Sequence, residues 1–151
     1  MLQRAAAGLL VAVTEQEIPE AGPPDVAVSL DWHPDGEALR GEVVARNVGN
    51  RRVRLTGKPR LIPLDDAGQP LDADAIITLE MLMPGYVELD PGESAAAPVG
   101  WAGWDGPPAG PQVRVEWPGG SVDVTTEGPR QPAGRGPATN LISSWFSRTD
   151  S

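Results

Sequence analysis

Hydrophobic and polar residues alternate along most of the chain between Asp25 and Glu127. In the run from Val26 to Trp32, every second residue is a large apolar one. Because successive side chains of a β-strand point to opposite faces, this period of two predicts strands with one buried face. Turn sequences such as His33-Pro34-Asp35-Gly36 and Asp90-Pro91-Gly92-Glu93 separate the runs. The pattern predicts an all-β fold, a single antiparallel immunoglobulin-like β-sandwich of about seven to nine strands with short terminal helices.

The two ends of the chain differ from the alternating middle. Residues 1–24 combine a short apolar run with acidic, proline-containing sequence, which predicts an N-terminal helix or a signal-peptide remnant. Residues 25–127 are the predicted sandwich, and residues 128–137 are a predicted mobile linker rich in proline and glycine. Residues 138–151 are predicted to form a C-terminal amphipathic helix, since four apolar side chains fall on one helical face.

Composition excludes several classes of function. The net charge is -9, from 12 basic and 21 acidic side chains, which argues against nucleic acid and anionic membranes as partners. No apolar run is long enough to cross a bilayer, so no transmembrane segment is predicted. The absence of cysteine excludes thiol nucleophiles, disulfides and thiolate metal sites. The single histidine, His33, has no recognisable catalytic partner, and we therefore expect neither an enzyme nor a cofactor.

A small-ligand or metal-binding module is the alternative function. Its metal candidates are two sets of residues, the acidic loop residues Asp65, Asp66, Asp72 and Asp74 for calcium, and His33 with Met81 and Met83 for copper. The acidic loop lacks the spacing of an EF-hand, so its carboxylates are more simply explained as solvated turn residues. The methionines are more simply explained as core residues, because a single histidine is weak evidence for a copper site. The sequence therefore predicts no metal.

Charge is distributed unevenly along the predicted sandwich. Residues 40–60 hold seven basic side chains and one acidic one, whereas residues 61–127 hold twelve acidic side chains and one arginine. If they share an outer sheet face, four arginines are candidates for binding an anionic partner, namely Arg40, Arg46, Arg52 and Arg54. The other interpretation, which we favour, pairs these arginines with acidic residues of neighbouring strands.

Two aromatic features are candidates for protein interaction. Trp104 stands in the loop Gly103-Trp104-Asp105-Gly106 and is predicted either as an exposed anchor or as a core residue. The apolar face of the predicted C-terminal helix is a candidate for docking an unidentified protein partner, or for folding back on the sandwich. This face consists of Leu141, Ile142, Trp145 and Phe146.

The turn segments carry a family resemblance. Asn47-Val48-Gly49-Asn50, Leu55-Thr56-Gly57-Lys58-Pro59 and Pro91-Gly92-Glu93-Ser94-Ala95 resemble segments of actinobacterial immunoglobulin-like domains of unknown function, found in secreted proteins and lipoproteins. The resemblance spans residues 26–127 and implies no catalytic residues. Many members carry a cysteine pair and an export signal, and the sequence shows neither. An arginine-rich composition with one lysine fits an actinobacterial genome.

These observations favour a noncatalytic protein-interaction or structural β-sandwich. The resemblance implies association with the actinobacterial cell envelope. The sequence as it stands predicts a cytoplasmic protein, and an upstream signal peptide would make it an envelope or secreted one.

Overall fold

The computed structural model describes residues 18–71, 85–135 and 141–149, and the alternating segments of these residues form β-strands. A 3-10 turn at Pro23–Asp25 is the helical structure in this part of the chain. The all-β prediction is therefore confirmed. The strands are β1 Val26–Asp35, β2 Ala38–Asn47, β3 Val53–Thr56, β4 Arg60–Pro63, β5 Tyr86–Leu89, β6 Ser94–Trp101, β7 Gln112–Trp117, β8 Gly120–Thr125, β9 Leu141–Ser143 and β10 Ser147–Arg148.

The strands form antiparallel sheets in two layers. One layer, sheet I, has the order β1-β2-β6, and both β9 and β10 pair with the far edge of β6. The other layer consists of sheet II, with the order β4-β7-β8, and the two-stranded β3–β5 ribbon. Apolar side chains of both layers meet in one core, so the molecule is a β-sandwich. Its largest fully buried members are Trp32, Trp101, Leu30, Leu55, Leu61 and Leu89.

The β1–β2 hairpin sets the register of sheet I. Gly36 and Glu37 form its two-residue turn, and Gly36 has φ 64°, which suits the first central position of a type II′ turn. Gly41 on β2 lies opposite Trp32 of β1. A Cβ at Gly41 would lie 2.1 Å from the carbonyl oxygen of Asp31, so this close approach of the strands requires glycine.

The predicted C-terminal amphipathic helix is wrong. The described part of this segment, residues 141–149, forms β9 and β10 along the edge of β6. A helix of about eleven residues is marginal by itself, whereas the edge of a sheet offers unpaired backbone groups. The pairing is interrupted beside Pro98, which has no N–H to donate, although the Ser144 N–H donates to the Pro98 carbonyl at 2.8 Å.

The predicted linker is also packed where the structure describes it. In residues 128–135, the Gly134 N–H donates to Glu37 O at 2.9 Å and the Gly134 carbonyl accepts from the Trp104 N–H at 3.0 Å. Glycine suits this segment because its backbone approaches neighbouring chain closely. These bonds hold the backbone at Gly134 against the sandwich, and the mobility of the linker stays a prediction. Residues 136–137 lie outside the described part.

The N-terminal boundary of the sandwich lies before Asp25. Ala21 is buried, its N–H donates to Arg54 O at 2.8 Å, and its carbonyl accepts from the indole of Trp117 at 2.7 Å. These bonds place residues 19–21 against β3. The predicted N-terminal helix or signal remnant falls mostly on residues 1–17, which lie outside the described residues.

Candidate interaction groove

The outer face of sheet I presents its side chains in rows across the strands. The hairpin register places His33 opposite Arg40, and the β2–β6 and β6–β9 registers continue this row through Gly100 to Ile142. The next row contains Asp31, Glu42 and Pro98. Neighbouring strands lie about 4.8 Å apart, so side chains in one row are direct neighbours.

A groove of about 920 Å³ runs over this face. Its floor lies along β6 and the residue after it, where the outward positions are Pro98, Gly100 and Ala102. A Cβ at Gly100 would lie 3.7 Å from Leu39 O and 3.8 Å from Ile142 Cγ1, which are ordinary contacts. The concavity therefore results from small residues on β6 between larger ones on β2 and β9.

Two carboxylates lie side by side in the groove. Asp31 and Glu42 are exposed cross-strand partners, and like charges in this position repel each other. Within the described residues, neither carboxylate forms an ion pair or a hydrogen bond through its side chain. The nearby Arg40 instead donates from Nε to Asp35 Oδ2 at 3.0 Å, at the hairpin end of the groove. The centre of the groove is therefore negative.

The four predicted arginines do not share one face. Arg40 and Arg46 lie on the outer face of sheet I, six positions apart on β2 or about 20 Å. Arg52 and Arg54 belong to the opposite layer, beside and within β3. The hypothesis of one four-arginine surface for an anionic partner is therefore wrong.

Arg52 and Arg54 are held by acidic residues. Arg52 Nε donates to Asp90 Oδ1 at 2.7 Å, and Arg52 Nη1 to Glu88 Oε1 at 3.2 Å. The hydrogen bond with Asp90 raises the pKa of Arg52, and the same bond lowers the pKa of Asp90. Arg54 Nε lies 3.4 Å from Glu20 Oε1. Arg52 and Arg54 therefore form ion pairs with acidic residues, as the favoured interpretation of the sequence predicts.

Trp104 is a core residue. It is 5% exposed, its ring centroid lies 5.7 Å from that of Trp101, and its Nε1 donates to Pro107 O at 2.6 Å. The loop can fold over the ring because Gly106 has no side chain, and a Cβ there would lie 2.4 Å from Trp104 Cζ2. The prediction of an exposed anchor is wrong, because an aromatic partner and a hydrogen bond stabilise the buried position.

Three apolar residues of the C-terminal segment, Ile142, Trp145 and Phe146, have different environments. Phe146 is 8% exposed and belongs to the core. Trp145 is half-buried, and Lys58 Nζ lies 5.9 Å from the centroid of its ring. Leu141 occupies the β9 position opposite Trp101. Ile142 is 50% exposed and lines the groove. Of the predicted interaction residues whose side chains the structure describes, Arg40 and Ile142 line the groove.

Sequence reasoning missed the central groove residues, Asp31, Glu42, Pro98 and Gly100. The parity of the strands places Asp31 and Glu42 on outer faces. Their opposition follows once Gly36 and Glu37 are known to be the hairpin turn, because the register is then fixed. The position of β6 beside β2, in contrast, depends on pairing between strands that are distant in sequence.

Comparison with known proteins places the chain in a family. Residues 22–142 match the model described as a domain of unknown function (DUF4232). The chain belongs to this family. No curated protein and no solved structure matches it. The predicted resemblance to a domain of unknown function is thus supported, while the actinobacterial source and the immunoglobulin-like type stay predictions.

In the DUF4232 domain, the carboxylates of Asp65 and Asp66 are held by hydrogen bonds and an ion pair. Asp65 Oδ1 accepts from the N–H groups of Ala67 and Gln69, both at 2.9 Å, and Asp66 pairs with Arg130 at 3.4 Å. Asp72, Asp74, Met81 and Met83 fall in residues 72–84, outside the described residues, and His33 is exposed on β1. Across the described ranges, no group of three histidine or carboxylate side chains has the geometry for a metal ion.

Over residues 18–71, 85–135 and 141–149, the DUF4232 domain contains no helix long and apolar enough to cross a membrane.

Proposed function

We propose that this DUF4232 domain is a noncatalytic interaction module that binds a partner through the groove of sheet I. The observation that carries the proposal is the groove itself, about 920 Å³ over a platform of three paired strands, β1, β2 and β6. Binding sites on β-strands are more precisely held than sites on loops. The exposed Ile142 adds apolar surface at one side of the groove.

Site-specific photo-crosslinking tests this function. A benzophenone side chain at Ala102, in the groove, is compared with one at Ser121, which is exposed on β8 of the opposite layer. We expect a discrete adduct from Ala102 in cells of the native organism and none from Ser121. Equal adducts from both positions, or none from Ala102, would contradict the proposal.

A filled groove gives a second readout of the same function. Gly100→Phe places a large side chain on the floor, where the position opens outward, and Gly100→Ala adds only a methyl group. We expect Gly100→Phe to remove the Ala102 adduct and Gly100→Ala to keep it. Both variants should retain the melting temperature of the parent protein within a few degrees, about 1 kcal/mol or less.

A small-ligand module is the second candidate function. The volume of the groove falls within the range of about 300–1,000 Å³ that small-molecule sites occupy. In this case a metabolite, and no protein adduct, would protect the groove from crosslinking. Thermal-shift screening of metabolites with the parent protein and Gly100→Phe separates the two functions, because a ligand of the groove stabilises only the parent.

Placement at an actinobacterial cell envelope belongs to the same proposal. Its support is the resemblance of the turn segments and the excess of arginine over the single Lys58. Fractionation of native cells tests it directly. Recovery with the envelope is expected, and recovery with the cytosol would limit the proposal to the interaction module.

A further inference from the structure

We propose that the occupant of the groove is an extended basic peptide segment of a partner protein, with a lysine or arginine side chain bound between Asp31 and Glu42. This inference rests on the proposed function and names the chemistry of its partner. It follows from charge, shape and the net charge of the domain.

The charge of the groove favours a cation. Asp31 and Glu42 are neighbours in one row, and their carboxylates have no partner within the described residues. Arg40 is engaged with Asp35. One ammonium or guanidinium group between the two carboxylates would relieve their repulsion and form two charge-assisted hydrogen bonds.

The shape of the groove favours an extended chain. The floor from Pro98 to Ala102 spans four residue steps of a strand, about 13 Å, without a bulky side chain. Val44 and Ile142 line the groove on opposite sides of this floor. An extended segment alternates its side chains, so a basic residue facing the carboxylates is two positions from the next residue on that face.

Net charge separates a basic partner from a second copy of this chain. The protein carries a net charge of -9, so two copies repel each other over long range, whereas a basic segment is attracted. Binding of the basic segment should weaken as ionic strength rises, because salt screens exposed charges.

Three synthetic peptides of equal length test the chemistry by amide chemical-shift mapping on the full chain. They alternate valine with lysine, with glutamate, or with serine. We expect the lysine peptide to shift amides of Asp31, Glu42, Gly100 and Ile142, and the glutamate and serine peptides to leave them unchanged. Spermidine, a small polycation, should bind more weakly than the lysine peptide because it makes no use of the apolar sides.

Charge-neutral variants assign the effect to the two carboxylates. In Asp31→Asn/Glu42→Gln, the dissociation constant of the lysine peptide should rise about tenfold, as for exposed charges at an interface. Glu127→Gln removes one exposed carboxylate outside the groove and should leave the constant unchanged. The double variant and Glu127→Gln change only exposed side chains, so both proteins should keep the melting temperature of the parent protein. The three peptides test the same charge interaction without a change in the protein.

Several results would overturn the inference. These are equal binding of the three peptides, no shift in the groove with any peptide, spermidine binding as tight as the lysine peptide, or groove shifts that depend on protein concentration alone. The last result would assign the groove to a second copy. An Ala102 crosslink without lysine-peptide binding would overturn this inference and leave the proposed function standing, whereas no Ala102 crosslink would remove the function itself.

Discussion

The two outer faces of the sandwich differ in the charges of their cross-strand pairs. On sheet II, the cross-strand partners Arg114 and Asp123 carry opposite charges and bond at 2.7 Å, which raises the pKa of Arg114. On sheet I, the cross-strand partners Asp31 and Glu42 carry the same charge. The Arg114–Asp123 pair neutralises its own charges, whereas the Asp31–Glu42 pair becomes more favourable when a cation is added.

The β3–β5 ribbon follows the pattern of sheet II. Arg52 binds both Asp90 and Glu88, at 2.7 and 3.2 Å. The difference between the layers therefore extends over more than one pair of residues. Each prediction below tests one part of this comparison.

Phe146→Ala should have the largest effect on stability. Phe146 is the core residue by which the C-terminal segment completes sheet I, and its truncation should cost about 3 kcal/mol of unfolding free energy. Ile142→Ala, in the same segment but half exposed, should cost less than about 1 kcal/mol. Denaturant unfolding measures both. A loss at Phe146 as small as that at Ile142 would show that this segment does not belong to the core.

The secondary structure of the C-terminal segment could not be predicted from its sequence alone. The apolar spacing of Leu141, Ile142, Trp145 and Phe146 fits one helical face, but Leu141 and Ile142 pair in β9, and Trp145 and Phe146 lie between β9 and β10. A short apolar pattern is ambiguous, and the free edge of β6 decides between the two structures. That edge is a tertiary feature, so local spacing contains no information about it.

Gly41→Ala should break the scaffold of sheet I. The new methyl group would collide with the Asp31 carbonyl, and the expected loss is about 2–3 kcal/mol of unfolding free energy. Gly100→Ala is the matched control in the same sheet, where the added methyl group meets only ordinary contacts and should change stability by less than about 0.5 kcal/mol. Thermal and denaturant melts compare the two variants. Similar stability of both would mean that β1 and β2 separate easily.

Asn47→Ala should weaken the connection between the two layers. The Asn47 side chain donates to Arg51 O at 2.8 Å and Leu89 O at 3.0 Å, and accepts from the Gly49 N–H at 2.9 Å. Because Asn47 is 1% exposed, its loss leaves buried groups unpaired and should cost about 2 kcal/mol. The exposed Asn50→Ala is the control for denaturant unfolding, with an expected change below about 0.5 kcal/mol. A cost at Asn47 as small as at Asn50 would show that water replaces these bonds.

The strands and their inward faces follow from local alternation, and so does the outward position of the groove residues. The groove does not, because it needs β6 beside β2 and the C-terminal segment beside β6. The sequence also left open whether Trp104 is exposed or buried, because its burial depends on the contact between its ring and that of Trp101. Such contacts depend on the whole topology rather than on one segment.

Asp90 tests the paired layer through its acid dependence. Arg52 lowers the folded-state pKa of Asp90, so the pair adds stability above the unfolded pKa near 3.8, and this stability is lost as pH falls through the folded value. Arg52→Gln should raise the pKa of Asp90 in an NMR titration and flatten that part of the acid unfolding curve. Arg130→Gln, which removes a different ion pair, should leave the Asp90 titration unchanged. An unchanged pKa in Arg52→Gln would show that the pair is broken in solution.

Glu42→Lys has the smallest expected effect on stability and separates the two faces most directly. A lysine opposite Asp31 converts a like-charged pair to an opposite one and should raise the free energy of unfolding by about 0.3–0.5 kcal/mol. Asp123→Lys makes the opposite change on sheet II, beside Arg114, and should lower it by a similar or larger amount. Denaturant unfolding at low salt measures both. A gain at Glu42 together with loss of lysine-peptide binding would mean that the groove retains repulsion because binding requires it, whereas destabilisation by Glu42→Lys would assign the carboxylates a role in the fold.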